Sequence, residues 1–284
     1  MPDYYTSQSR TSDPGKYSYF LDALPTDLTG ISQIIEGLIY HYFAGQRLYG
    51  WVPPKERLSE INTRSMERML ATLLEKDKRP LTEERTYEDR LIGCCRDFAL
   101  IACAVFRHQG KPARLRYGFA SYLVADYWID HVIVELWNGQ RWQPIEPRSA
   151  TRSQSRVDML DLPSGAFVTG GRAWQMCRSE GADPDRFGLG PQSKKARGWQ
   201  FIRERLQLDV AALNKAELLC WDTFEGLPED RLVDETILDE MAICSLNPDS
   251  SELRKRCGTE EGWRIPATIQ CRHSATGAFE VTIQ

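Results

Sequence analysis

Gly93-Cys94-Cys95-Arg96-Asp97-Phe98-Ala99 opens a run that continues through Leu100-Ile101-Ala102-Cys103-Ala104-Val105-Phe106-Arg107-His108 and has almost no polar face. The run predicts a helix over 95–108, stopped by Gly110 and then Pro112, and apolar enough to be buried at the centre of a domain. Cys95 then stands at the helix N-terminus. Unpaired backbone N–H groups concentrate positive partial charge there, which favours a thiolate over a thiol. Asp97, in the first turn, complements the same dipole.

Three stretches rich in Val, Ile, Tyr and Trp follow, at 113–119, 130–137 and 141–145, and each reads as a strand. Asn138-Gly139 between the last two is a hairpin signal, so they are expected as antiparallel neighbours. A helix followed by a meander is an α+β arrangement. A cysteine nucleophile needs a histidine within reach, and the second strand carries His131 near its start. The imidazole in turn needs an acceptor to orient it, and the hairpin returns Glu146 alongside that strand. Asp130 is an unsuitable acceptor, because neighbours on a strand point to opposite faces.

Upstream, apolar positions over 28–43 recur at helical spacing and place His41 within a helix, and a second helical pattern spans 58–74. Residues 1–18 are expected as a flexible tail, 19–150 as the catalytic domain, and 151–284 as an accessory region packed on it. Within the accessory region, helices are expected at 199–220, 229–245 and 249–257, with a hairpin over 264–273 and 279–283. Position along the chain suggests 167–174 or 181–190 as a substrate-selecting lid.

Composition narrows the function. The 284 residues carry 36 Lys and Arg against 40 Asp and Glu, a net charge of -4 with both signs interspersed, so no nucleic-acid partner is expected. The first fifteen residues lack the apolar core of a signal peptide, and Arg96 and Asp97 interrupt the longest apolar stretch, so neither export nor a membrane role is expected. A cytoplasmic location follows from that reading. Eight dispersed cysteines without a Cys-x-x-Cys pair, and four scattered histidines, lead to an expectation of reduced thiols and no metal or cofactor.

Four segments taken in order, Gly93-Cys94-Cys95-Arg96-Asp97-Phe98-Ala99, Gly110-Lys111-Pro112-Ala113-Arg114, Asp130-His131-Val132-Ile133-Val134-Glu135 and Trp142-Gln143-Pro144-Ile145-Glu146-Pro147, resemble the transglutaminase-like superfamily, a branch of the papain-like cysteine enzymes. The resemblance is strong over 90–148. It implies a buried helix carrying the cysteine, packed on an antiparallel sheet, and its Gly-x-Cys register selects Cys95 over Cys94. It further implies Cys95, His131 and Glu146 as catalytic residues, with Glu146 where family members usually have Asp. The backbone N–H of Cys95 would stabilise an oxyanion, and Trp51 is a candidate for the second donor. The implied reaction is acyl transfer through a thioester, or hydrolysis, at an amide, with glutamine-like groups of a peptide or protein as the default substrate and a small amide as a further one; calcium is not implied. A cysteine protease or amidase is one alternative. A binding or scaffold protein that keeps the fold without the chemistry is another.

Overall fold

The computed structural model describes residues 2–148, 157–224 and 235–283, and the fold is α+β. Its helices are α1 (Leu28–Leu38), α2 (Gly45–Tyr49), α3 (Met66–Lys76), α4 (Cys95–His108), α5 (Gly170–Ser179), α6 (Trp199–Leu213), α7 (Glu235–Leu246) and α8 (Ser251–Thr259). Its strands are β1 (Ile39–His41), β2 (Leu91–Gly93), β3 (Ala113–Val124), β4 (Tyr127–Trp137), β5 (Trp142–Ile145), β6 (Phe167–Thr169), β7 (Phe187–Gly188), β8 (Asp222–Thr223), β9 (Thr268–His273) and β10 (Gly277–Thr282). Polar side chains cap several helix starts: Asp27 accepts from the Gly30 N–H at 2.8 Å, and Thr169 from that of Arg172 at 3.2 Å. Among the described residues, no helix is long and apolar enough to cross a membrane.

The chain forms two compact units. One comprises Pro2–Leu115 and Ile133–Leu162 and contains Cys95; the other comprises Arg116–Val132 and Pro163–Gln284 and contains His131. In sequence, the chain passes from one unit to the other within β3, within β4 and after Leu162. The expected boundary at 150 falls outside the described residues, and the units do not follow it.

In the Cys95 unit, α4 is the axis. Every residue from Arg96 to Arg107 is buried, and α1, α3, β1 and β2 pack against it. The helix expected over 28–43 stops at Leu38. Ile39, Tyr40 and His41 leave it as β1, which runs parallel to β2, so His41 is a strand residue. Residues 2–18 are packed, in contrast to the expected tail. Tyr5 is fully buried, Gln8 Nε2 donates to the Ala104 carbonyl at 2.8 Å, and Arg107 Nη1 donates to Ser12 Oγ at 2.8 Å. Composition suggests a tail because these residues are polar. They are ordered because buried groups of α4 need hydrogen-bond partners. The Asn138-Gly139 turn closes the expected hairpin: β4 and β5 pair antiparallel, with Val134 opposite Ile145 and Trp137 opposite Trp142. Arg114 lies over the Trp142 ring at 3.8 Å and donates to Glu135 at 2.7 Å.

In the His131 unit, β6 pairs antiparallel with β3, β7 pairs parallel with β4, and α5, α6 and α7 pack on one another. Close approach of α5 to α6 requires Gly170, where a Cβ would sit 2.4 Å from the Leu206 backbone nitrogen. Asp209 on α6 takes two charged N–H groups from Arg116 at 2.9 Å and the Tyr117 N–H at 2.9 Å, which ties the helix to β3. Residues 167–174 are therefore a paired strand and a helix start, part of the framework and not a free lid. The helix expected over 199–220 ends at Leu213, because the chain turns through Lys215 at φ 61°. The first residues of the helix expected at 229–245 lie outside the described residues; the rest of it is α7. The closing hairpin is present as β9 and β10, paired from Thr268 with Thr282 to His273 with Gly277.

Candidate functional site

Cys95 is the first residue of α4, and Cys94 in extended conformation precedes it. Cys94 is buried at 3% exposure, whereas Cys95 is partly exposed, so the accessible thiol is the one selected by the Gly-x-Cys register. The glycine of that register has a steric reason. A Cβ on Gly93 would lie 2.7 Å from Asp97 Oδ2 and 3.2 Å from Ile39 Cγ2. That space is held by the Asp97 carboxylate, which caps the helix by accepting the Cys94 N–H at 2.8 Å. Arg96 Nη1 holds the other oxygen of Asp97 at 3.0 Å while Nη2 donates to the Arg64 carbonyl at 2.6 Å. Burial pushes the Asp97 carboxyl above its usual value, and the adjacent Arg96 charge opposes that rise.

The strand leading into Cys95 is fastened by a cluster not anticipated from sequence. Glu60 Oε2 accepts the Ile92 N–H at 3.0 Å, and Glu60 is also bridged by Arg57 at 2.8 Å and Lys76 at 2.7 Å. Arg57 and Lys76 reach on to the Arg90 carbonyl. Burial alone would raise the Glu60 carboxyl; hydrogen bonds from Arg57, Lys76 and Ile92 outweigh it and hold the group below its ordinary value. These residues lie in a 3₁₀ segment (Lys55–Asn62), in α3 and beside β2, so sequence spacing carries no signal for their convergence.

Glu146 follows β5 and is 1% exposed. Its N–H donates to the Met159 carbonyl at 2.8 Å and its Oε1 accepts from the Arg148 N–H at 3.1 Å; Ser32 on α1 donates to the carbonyl of the next residue, Pro147. Trp51, the candidate oxyanion donor, has its ring edge-on to Tyr40 at 4.9 Å and under Arg57 at 5.7 Å, and its carbonyl accepts from the Tyr40 hydroxyl. Those contacts make it part of an aromatic cluster.

His131 belongs to the other unit. It is 3% exposed on β4, and its ring meets the Tyr122 ring edge-on at 6.2 Å. The other histidines take local structural roles: His41 Nδ1 accepts from the Ala44 N–H at 3.2 Å, His108 pairs with Asp22 at 2.7 Å, and His273 Nδ1 accepts from the Ala275 N–H at 3.1 Å. Asp130 faces Arg205 on α6, as alternation along the strand requires, and Trp128 stacks on Phe187 with ring centroids 5.8 Å apart.

Residues 42–147 match the family described as the transglutaminase-like superfamily, so the chain carries a transglutaminase-like domain there. Members of that superfamily are generally cysteine-dependent enzymes. The chain also overlaps the crystal structure of "a Putative Cysteine Protease from Cytophaga hutchinsonii", with 16% identity and a TM-score of 0.33 over 58% of this chain and 44% of that one. The chain thus spans less than half the length of that protein. No curated protein matches the sequence.

Proposed function

We propose that the chain is a cysteine enzyme in which Cys95 attacks an amide carbonyl, His131 carries the proton and Glu146 orients His131. The partly exposed thiol of Cys95 at the N-terminus of the buried α4, within the transglutaminase-like domain, carries this reading. The β4–β5 register supports the acid and base: Val134 is opposite Ile145, so Glu146 follows on the side of Ile133, and alternation gives Ile133 and His131 one face of β4. A buried carboxylate suits the orienting role, because low dielectric strengthens its hold on an imidazolium.

In the first half-reaction the thiolate forms a bond to the carbonyl carbon, the amide C–N bond breaks, and the imidazolium delivers its proton to the departing amine. The oxyanion is stabilised by the Cys95 N–H at the helix start. In the second, an amine or water gives a proton to the imidazole, bonds to the thioester carbon and releases the thiol. The substrate class is a peptide, protein or small amide.

Mass spectrometry after exposure to p-nitrophenyl acetate and to iodoacetamide tests the assignment. Cys95 should take the acetyl group and be alkylated fastest, with an inflection well below the ordinary thiol value of ~8.5. Labelling of the other cysteines as rapid as that of Cys95, or acetylation unchanged in Cys95→Ala, would sink the proposal and leave the non-catalytic scaffold as the better reading. Release of the acetyl group by added primary amine in preference to water would identify a transferase.

A further inference from the structure

We propose that Arg205 on α6 is a positioning residue for His131, acting through the carboxylate of Asp130; the inference rests on His131 being the catalytic imidazole. Asp130 immediately precedes His131 on β4. Arg205 grips it side-on through two parallel hydrogen bonds, Nε to Oδ1 at 2.5 Å and Nη2 to Oδ2 at 3.1 Å, with both side chains 5% exposed or less. Two parallel bonds fix the carboxylate plane as well as its distance. Because successive side chains on a strand are coupled through one backbone, the plane that fixes Asp130 on one face also fixes the direction of His131 on the other.

The ion pair is poorly explained by stability alone. Its guanidinium is fully enclosed, lies 4.2 Å over the Phe201 ring, and leaves Nη1 buried with no hydrogen-bond acceptor among the described residues. A buried pair with an unanswered N–H is typically no better for stability than two apolar side chains of similar size. What it does supply is a fixed orientation. The surroundings reinforce this: β7 pairs with Trp128 and Ile129 just before Asp130, and Tyr122 meets the His131 ring edge-on. Burial works against the Arg205 charge, but the Asp130 carboxylate outweighs it and holds the guanidinium above its ordinary value. Residues after 163 would thereby contribute to the chemistry, through α6, without touching substrate.

The experiment compares wild type, His131→Ala, Arg205→Lys and the double variant Asp130→Leu/Arg205→Met, reading the melting temperature and the pH profile of iodoacetamide modification at Cys95. The double variant replaces both charges with apolar groups and should melt near wild type. Its Cys95 reactivity at pH 7 should nevertheless fall at least about fivefold, with a profile moved toward that of His131→Ala. Arg205→Lys keeps the charge but loses the fork, and should fold and give an intermediate profile. If either folded Arg205 variant retains the wild-type profile while His131→Ala is slower, the positioning role is overturned and the catalytic assignment stands. If His131→Ala is as reactive as wild type, both are overturned.

Discussion

At the scale of single residues, the proposed role most open to test is that of Glu146 as the carboxylate orienting His131. Its side chain is buried and accepts the Arg148 N–H, so burial and that bond both constrain its position. Glu146→Gln keeps length and acceptor but removes the charge that would stabilise an imidazolium. Acetylation of Cys95 by p-nitrophenyl acetate should slow by about two orders of magnitude, with the melting temperature little changed; an unchanged rate would remove Glu146 from the machinery. Gly93 gives a second test. An alanine there would press on Asp97 Oδ2 and loosen the helix cap, so Gly93→Ala should cost roughly 1–3 kcal/mol in denaturant unfolding. The loss should shrink when Gly93→Ala is made in an Asp97→Ala background if the carboxylate is the point of conflict.

Elements are held to the site by groups that sequence patterns do not connect. Glu60 joins the 3₁₀ segment, α3 and β2 through Arg57, Lys76 and the Ile92 N–H. Its folded carboxyl lies below its ordinary value of 4.5, so the unfolded chain binds the proton more readily. The stabilisation is therefore complete above about pH 4.5 and is lost as pH falls through the lower folded value. Glu60→Gln should be less stable than wild type at pH 7, by about 1–3 kcal/mol, and the gap should narrow on acidification below the unfolded value. Urea titrations at pH 7 and pH 3.5 measure this; a gap that stays constant or widens at pH 3.5 would contradict it. The helix α4 and the β4–β5 hairpin were legible in advance because apolar periodicity and Asn138-Gly139 are local signals. The Glu60 cluster was not, since its members meet only after folding.

For the whole molecule, division into a catalytic core and an appended region would allow the chain to be cut near 150. The His131 unit instead takes Arg116–Val132 from the middle of the sequence, and its β6, β7 and α6 come from beyond Pro163. A chain ending at Leu162 would lack the partners that bury Tyr117 and Phe119 and that bind Arg116. It should aggregate or lose near-ultraviolet circular dichroism, while wild type keeps both solubility and signal. A soluble, cooperatively melting fragment would show that the first 162 residues fold without the rest.

The buried helix beginning at Cys95, the hairpin carrying His131 and Glu146, and the α+β class are legible in local pattern, because each depends on periodicity, turn chemistry or the spacing of linked motifs. Long-range packing set what those signals cannot encode. It ordered residues 2–18 against α4, made 167–174 part of the framework, ended the first helix at Leu38, and gave Asp130 to Arg205. In each case the deciding interaction joins residues far apart in sequence. A polar side chain reads as solvent-facing until the buried partner that satisfies it is known.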